Sequence, residues 1–105
     1  MKLMRLLVLF DLPVKQKQDK QAYQRFHKFL LQDGYTMMQL SVYVRITNGA
    51  DGIDKHVRRL KLNLPAKGSV RALIVTEKQY ASMLFLVGAP SVQEKSVGAQ
   101  MQLWL

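Results

Sequence analysis

The alternation of hydrophobic periods along the chain predicts an α+β fold, with two helices laid on one face of an antiparallel sheet. Three observations carry this. Apolar runs with no helical period are closed by turn residues; two amphipathic stretches repeat at about 100° per residue; and the two kinds follow the order strand, helix, strand, strand, helix, strand.

Met4 to Phe10 is rich in Leu, Val and Phe without helical period and reads as a strand buried on both sides, closed by a turn at Leu12-Pro13. From Gln16 to Asp33, Ala22, Tyr23, Phe26, Phe29 and Leu30 share one side of a helix, with Lys17, Lys20, Arg25 and Lys28 opposite; Gly34 stops it. Tyr35–Gln39 and Leu40–Ile46 read as one or two strands, the second alternating Val42, Val44, Ile46 against Ser41, Tyr43, Arg45. Asn48 to Gly52 reads as loop and cap. Ile53, Val57, Leu60 and Leu64 then form a narrow stripe on a second helix, with Lys55, Arg58, Arg59 and Lys61 on its other side, ending at Pro65. Val70–Thr76 is a further strand, and Met83–Val87 a shorter one before Gly88-Ala89-Pro90.

This order is the ferredoxin-like βαββαβ arrangement with an additional C-terminal strand: a domain over 1–89 and a tail over 90–105, in which Trp104 is a core or docking residue. Whichever register the first strand takes, either Leu7 and Leu9 or Leu6, Val8 and Phe10 face away from the helices. An apolar uncovered face calls for a partner, so the expectation is a homodimer packed sheet to sheet, with Met83–Val87 added to a sheet edge, that of the partner included.

The 105 residues suffice for one domain, and sixteen Lys and Arg against seven Asp and Glu leave +9, which makes a polyanion the natural partner, nucleic acid first. With no cysteine, disulfides, thiolate catalysis and cysteine metal sites are excluded. The apolar start is too short for a signal peptide and lacks a small-residue cleavage site, and no later run approaches the ~18 to 20 residues of a membrane helix. The expected setting is cytoplasmic, away from membranes.

One acid stands out. Asp11 falls where the first strand ends and Leu12-Pro13 turns the chain, so a core holds it rigidly while it meets solvent. An Asp there also serves simply to open a turn or cap a helix. No paired-carboxylate motif, serine triad or glycine-rich phosphate loop competes with it for a catalytic role. His27 and His56 lie on the polar sides of their helices and read as solvated. Arg58, Arg59 and Lys61, followed by Lys17, Arg25 and Lys28, are the first candidates for phosphate contacts, because both helices carry cationic faces with little acid to offset them.

Leu9-Phe10-Asp11-Leu12-Pro13-Val14, Gln39 to Arg45, Lys67-Gly68-Ser69-Val70-Arg71 and Thr76-Glu77-Lys78-Gln79 together resemble the Cas-two family of CRISPR-associated proteins, most closely members of type II systems; the resemblance runs from Met1 to about Val87. It implies a ferredoxin-like homodimer active in spacer acquisition, which binds duplex prespacer DNA and bridges two dimers of the Cas-one integrase. It also implies a magnesium-dependent endonuclease acting on single-stranded RNA or double-stranded DNA, with Asp11 as the catalytic, metal-binding residue and two copies facing each other across the dimer axis. One Asp per subunit suffices for magnesium if symmetry supplies the second, since the ion takes few carboxylates and keeps water and phosphate oxygens. Ser41 and Tyr43 are candidates for lining this site, with cross-strand packing the competing reading for Tyr43. The alternative function is an RNA-binding or toxin-like module that shares only the fold.

Overall fold

β1 (Leu3–Asp11) runs through the centre of the molecule, and the computed structural model, which describes residues 2–95, arranges the sheet outward from it. β3 (Val42–Asn48) and β4 (Ser69–Thr76) flank β1 antiparallel, and β2 (Thr36–Gln39) pairs beyond β3, giving the order β2-β3-β1-β4. With α1 (Lys17–Gln32) after β1 and α2 (Gly49–Leu62) after β3, this is the expected ferredoxin-like arrangement.

The register left open by the sequence is now fixed. Leu6, Val8 and Phe10 of β1 and Tyr43 of β3 form the buried core with Phe26 and Leu30 of α1 and Leu60 of α2. Phe10 is its hub: its ring lies edge-on to Phe26 at 5.1 Å and stacks on Tyr43 at 5.6 Å, geometries that add to simple burial. Because strand side chains alternate, Arg5, Leu7, Leu9 and Asp11 face away from the helices.

α1 is opened by Gln16, whose N–H donates to the Asp19 carboxylate (3.2 Å), and closed by a Schellman turn: Tyr35 N–H donates to Leu30 O (2.9 Å) and Gly34 N–H to Leu31 O (3.2 Å), with Gly34 at φ +91°. α2 begins at Gly49, so the expected loop Asn48–Gly52 is mostly helix. Its first turn has no apolar stripe to announce it; it is held instead by its anchorage beside β1, where Gly49 N–H donates to Lys2 O (3.0 Å).

The additional C-terminal strand is a correction. After β4 the chain forms a short α3 (Glu77–Ala81), capped by Thr76, and then residues 83–87 enter no strand. Leu84, Leu86 and Val87 are 80%, 89% and 95% exposed, and the segment pairs with neither edge strand of the sheet. Beyond them the chain returns across the face opposite the helices. Tyr80 lies on the Arg5 guanidinium (4.2 Å) and its hydroxyl is hydrogen-bonded to Glu94; Ser91 donates to Met37 O (2.9 Å), and Met37 N–H donates to the Gln93 side chain (2.8 Å). The start of the 90–105 tail is thus tied to the edge strand β2; residues 96–105, with Trp104, lie outside the described residues.

The face opposite the helices is therefore only half open. Leu7 and Val44, facing pairs on β1 and β3, are 7% and 0% exposed, whereas Leu9 and Leu73 nearer the Asp11 end are 36% and 52% exposed. No helix among the described residues is long and apolar enough to cross a membrane.

Candidate active site at the end of the first strand

Asp11 is the last residue of β1, exposed, on the face away from the helices. Its cross-strand partner is Ser69, the first residue of β4, and the next pair inward on the same face is Leu9 with Arg71. Leu9, Phe10, Asp11, Ser69 and Arg71 wall an open hollow of about 440 Å³, large enough for a hydrated ion together with part of a phosphate chain. Acid, hydroxyl and guanidinium thus converge at one end of two hydrogen-bonded strands, on rigid backbone.

The strand end is held by a close approach. The α2–β4 loop passes over it at Gly68 (φ +94°), where a Cβ would stand 2.6 Å from the Asp11 carbonyl oxygen and 2.7 Å from Leu12 Cδ2. Only glycine permits both that dihedral and that contact.

The other acids are placed elsewhere. Asp19 is buried in the first turn of α1, and Glu77 and Glu94 are bonded to Arg5 and Tyr80. Asp51 and Asp54 sit in the first half of α2, which starts beside Lys2 at the opposite end of β1. Asp33, at the end of α1, accepts from Arg59 Nη1 (2.7 Å) and from His56 Nδ1–H (2.9 Å), and its backbone carbonyl accepts from Arg45. Burial works to raise the Asp33 pKa, but the hydrogen bonds from His56 and Arg59 together with the charges of His56 and Arg45 hold the carboxyl below its ordinary value.

Several expected placements change. Tyr43 is buried on the helix side, facing Val8, with its hydroxyl 2.5 Å from His27 Nδ1, so it does not line the Asp11 hollow; alternation along β3 puts it on the other layer. Ser41 sits at positive φ (65°) in the β2–β3 turn, and its carbonyl accepts from Phe10 N–H (3.1 Å), so it reaches the strand end through its backbone. His56 is buried against Asp33 rather than solvated, and His27 is half-buried against Tyr43. Among the candidate phosphate contacts, Lys17, Arg25, Lys28, Arg58 and Lys61 are exposed on α1 and α2 as expected, while Arg59 is tied to Asp33.

Gly68, Ser69 and Arg71 were missed as site residues. Val70–Thr76 reads as a strand, but which β1 residues it meets is set by a register that no local pattern encodes.

Among the described residues no three His, Cys, Asp or Glu side chains converge on a common point. One chain supplies a single carboxylate with the Ser69 hydroxyl opposite it, a donor set that fits a divalent ion retaining most of its water and taking further oxygens from a substrate phosphate.

A family model described as CRISPR associated protein Cas2 matches residues 4–83. A protein from Acidovorax ebreus (strain TPSY), named CRISPR-associated endoribonuclease Cas2, is 62% identical over 96 residues, spanning 91% of this chain and 94% of its own. Proteins of the same name from Ligilactobacillus salivarius (strain UCC118) and Streptococcus mutans serotype c (strain ATCC 700610 / UA159) are 44% and 41% identical over 85 residues, 81% of this chain in each case and 84% and 78% of theirs.

Proposed function

The chain belongs to the Cas2 family of CRISPR-associated proteins, and on that premise we propose that it is a phosphodiester endonuclease with its reacting centre at Asp11. The observation that carries the reading is the position of this acid: of the seven Asp and Glu, it alone stands at a strand end in an open hollow with a hydroxyl and an uncommitted cation on the same face. Asp11 would hold magnesium, whose chemistry when bound is Lewis-acid polarisation of a phosphoryl oxygen. The remaining work falls to the protein: Ser69 offers a hydroxyl to water or phosphate across the strand pair, and Gly68 fixes the carboxylate-bearing backbone.

The same reading includes a homodimer. The uncovered half of the sheet face, with Leu9 and Leu73, abuts a second copy. That dimer would carry duplex prespacer DNA on its cationic helix faces and bridge Cas-one integrase dimers during spacer acquisition. RNA is the substrate suggested by the endoribonuclease names of the relatives, with DNA to be assayed beside it.

The test is cleavage of labelled RNA and DNA by wild type and Asp11→Ala, with magnesium and with a chelator. The variant is expected to fold, to bind duplex DNA as wild type does and to lose cleavage, and the chelator to abolish wild-type cleavage. Undiminished cleavage by a highly purified variant refutes the assignment.

A further inference from the structure

The cations of this chain divide into committed and uncommitted ones. Arg5 is ion-paired with Glu77 beneath Tyr80, Arg45 donates to the carbonyls of Asp33 and Ile46, and Arg59 is paired with Asp33. The uncommitted side chains of α1 and α2 point to solvent on the helix layer. Arg71 belongs to neither group. It lies on the sheet, on the face away from the helices, and makes no hydrogen bond or ion pair with any described residue. Its neighbours on that face are Leu9 directly across and Leu73 further along the same strand, both partly exposed and neither able to satisfy a guanidinium.

Position gives this isolated cation a use. On one face of an antiparallel pair, a residue and its diagonal neighbour stand ~7 to 8 Å apart, a span a phosphate fills with a long side chain reaching in from one side. Arg71 is that diagonal neighbour of Asp11, and both wall the same hollow. A carboxylate alone repels a phosphodiester, so a site organised around Asp11 needs a fixed positive group for the substrate's own charge. A guanidinium matches two phosphate oxygens at once, in a fork geometry that an ammonium cannot reproduce.

We infer that Arg71 is the phosphate-gripping catalytic residue of the Asp11 hollow, holding the diester whose bond is broken and stabilising the charge that builds on its non-bridging oxygens. The inference rests on the Asp11 reading for the chemistry but not for the phosphate contact. In the reaction a water oxygen bonds to phosphorus as the bond to the leaving sugar oxygen breaks. One water proton ends on the leaving alcohol, and the other passes to solvent from the new phosphate monoester. The guanidinium keeps its protons throughout and acts by charge and hydrogen bonding.

Arg71 also has a bland explanation, as an edge-strand cation that discourages unwanted pairing. The two are separated by kinetics. Arg71→Gln and Arg71→Lys are compared with wild type for cleavage of a labelled single-stranded RNA in magnesium. Magnesium-free binding of the same RNA is followed against salt by fluorescence anisotropy, in wild-type and Asp11→Ala backgrounds. Loss of a charge-stabilising donor predicts a fall in kcat of about 10²-fold or more for Arg71→Gln. Arg71→Lys is expected to recover binding more than kcat. The slope of log K against log salt should shrink by about 0.7, one phosphate of a single strand, in both backgrounds. If Arg71→Gln leaves kcat unchanged, the catalytic role is overturned whatever happens to the slope, and a slope unchanged in both backgrounds overturns the phosphate contact. If Asp11→Ala cleaves normally the Asp11 reading falls, yet the slope measured in that background still decides whether Arg71 holds phosphate. Matching melting temperatures confirm that the variants are folded.

Discussion

Gly68→Ala tests how tightly the candidate site is held. At φ +94° a residue with a side chain incurs the left-handed penalty of about 1–2 kcal/mol. The new Cβ would also stand 2.6 Å from the Asp11 carbonyl oxygen and 3.1 Å from Leu12 Cα, both backbone atoms that no rotamer change can move. The loop or the end of β1 must shift, and forcing an extra carbon into packed structure costs about 1–3 kcal/mol more. The total of about 2–5 kcal/mol is a large part of the ~5–15 kcal/mol stability of a small domain. At a urea m-value near ~1.5 kcal/mol/M it lowers the unfolding midpoint by roughly 1–3 M. Gly49→Ala is the control, because Gly49 also has positive φ (+63°) but nothing within 4 Å of its added Cβ, so it carries the dihedral cost alone. Both are measured by urea denaturation at one protein concentration. A Gly68→Ala midpoint equal to that of Gly49→Ala would show that the loop does not clamp the strand end, and the claim that Gly68 positions Asp11 would fall with it.

Two further outcomes concern charge. Asp33 has a folded-state pKa below its ordinary value, because burial, which raises it, is outweighed by the hydrogen bonds from His56 and Arg59 together with the charges of His56 and Arg45; its stabilisation is complete above the unfolded pKa of about 3.9 and is lost as pH falls through the folded value. The stability gap between wild type and Asp33→Asn, from denaturation at a series of pH values, should therefore narrow as pH drops below about 4; a gap independent of pH over that range would refute the assignment. Arg58→Glu with Lys61→Glu, which spares the structural pair Arg59–Asp33, should weaken binding to unrelated DNA duplexes by a similar factor and flatten the salt slope by about 0.9 per lost phosphate contact. An unchanged slope would mean that the basic face of α2 is merely solvated.

What was legible in the sequence was what is local. β1, α1 and β4 could be read because period, Pro13, Gly34 and Gly68 act over a few residues. The start of α2 could not, since Gly49-Ala50-Asp51-Gly52 has two glycines and no apolar stripe, and its helix is held by contact with the start of β1. Residues 83–87 have strand-like composition, but composition does not supply a pairing partner, and the segment joins neither edge strand of the sheet, β2 or β4. His56 read as solvated because its helix is cationic around it; what buries it is the end of α1, which brings Asp33 alongside. Asp11 was legible as a strand end, whereas Ser69 and Arg71 became its neighbours only through the β1–β4 register.

That register has a consequence for how the two proposed activities share one chain. The free cations of α1 and α2 lie on the helix layer, while Asp11 and Arg71 face the other way, across a body 19 Å along its shortest axis. A duplex lying on the helices keeps its phosphates on that side, so it cannot also present one to the hollow of the same chain. Prespacer binding and cleavage should then be separable by competition as well as by mutation. Saturating wild type with a duplex that resists cleavage should leave the cleavage rate of a short single-stranded RNA nearly unchanged, at ionic strength high enough to screen interactions beyond a Debye length of about 8 Å. Arg58→Glu with Lys61→Glu should in turn weaken duplex binding without lowering that rate. If the duplex abolishes RNA cleavage at the concentration where it saturates binding, the two nucleic acids occupy one surface, and the division of the molecule into a binding layer and a reacting face is wrong.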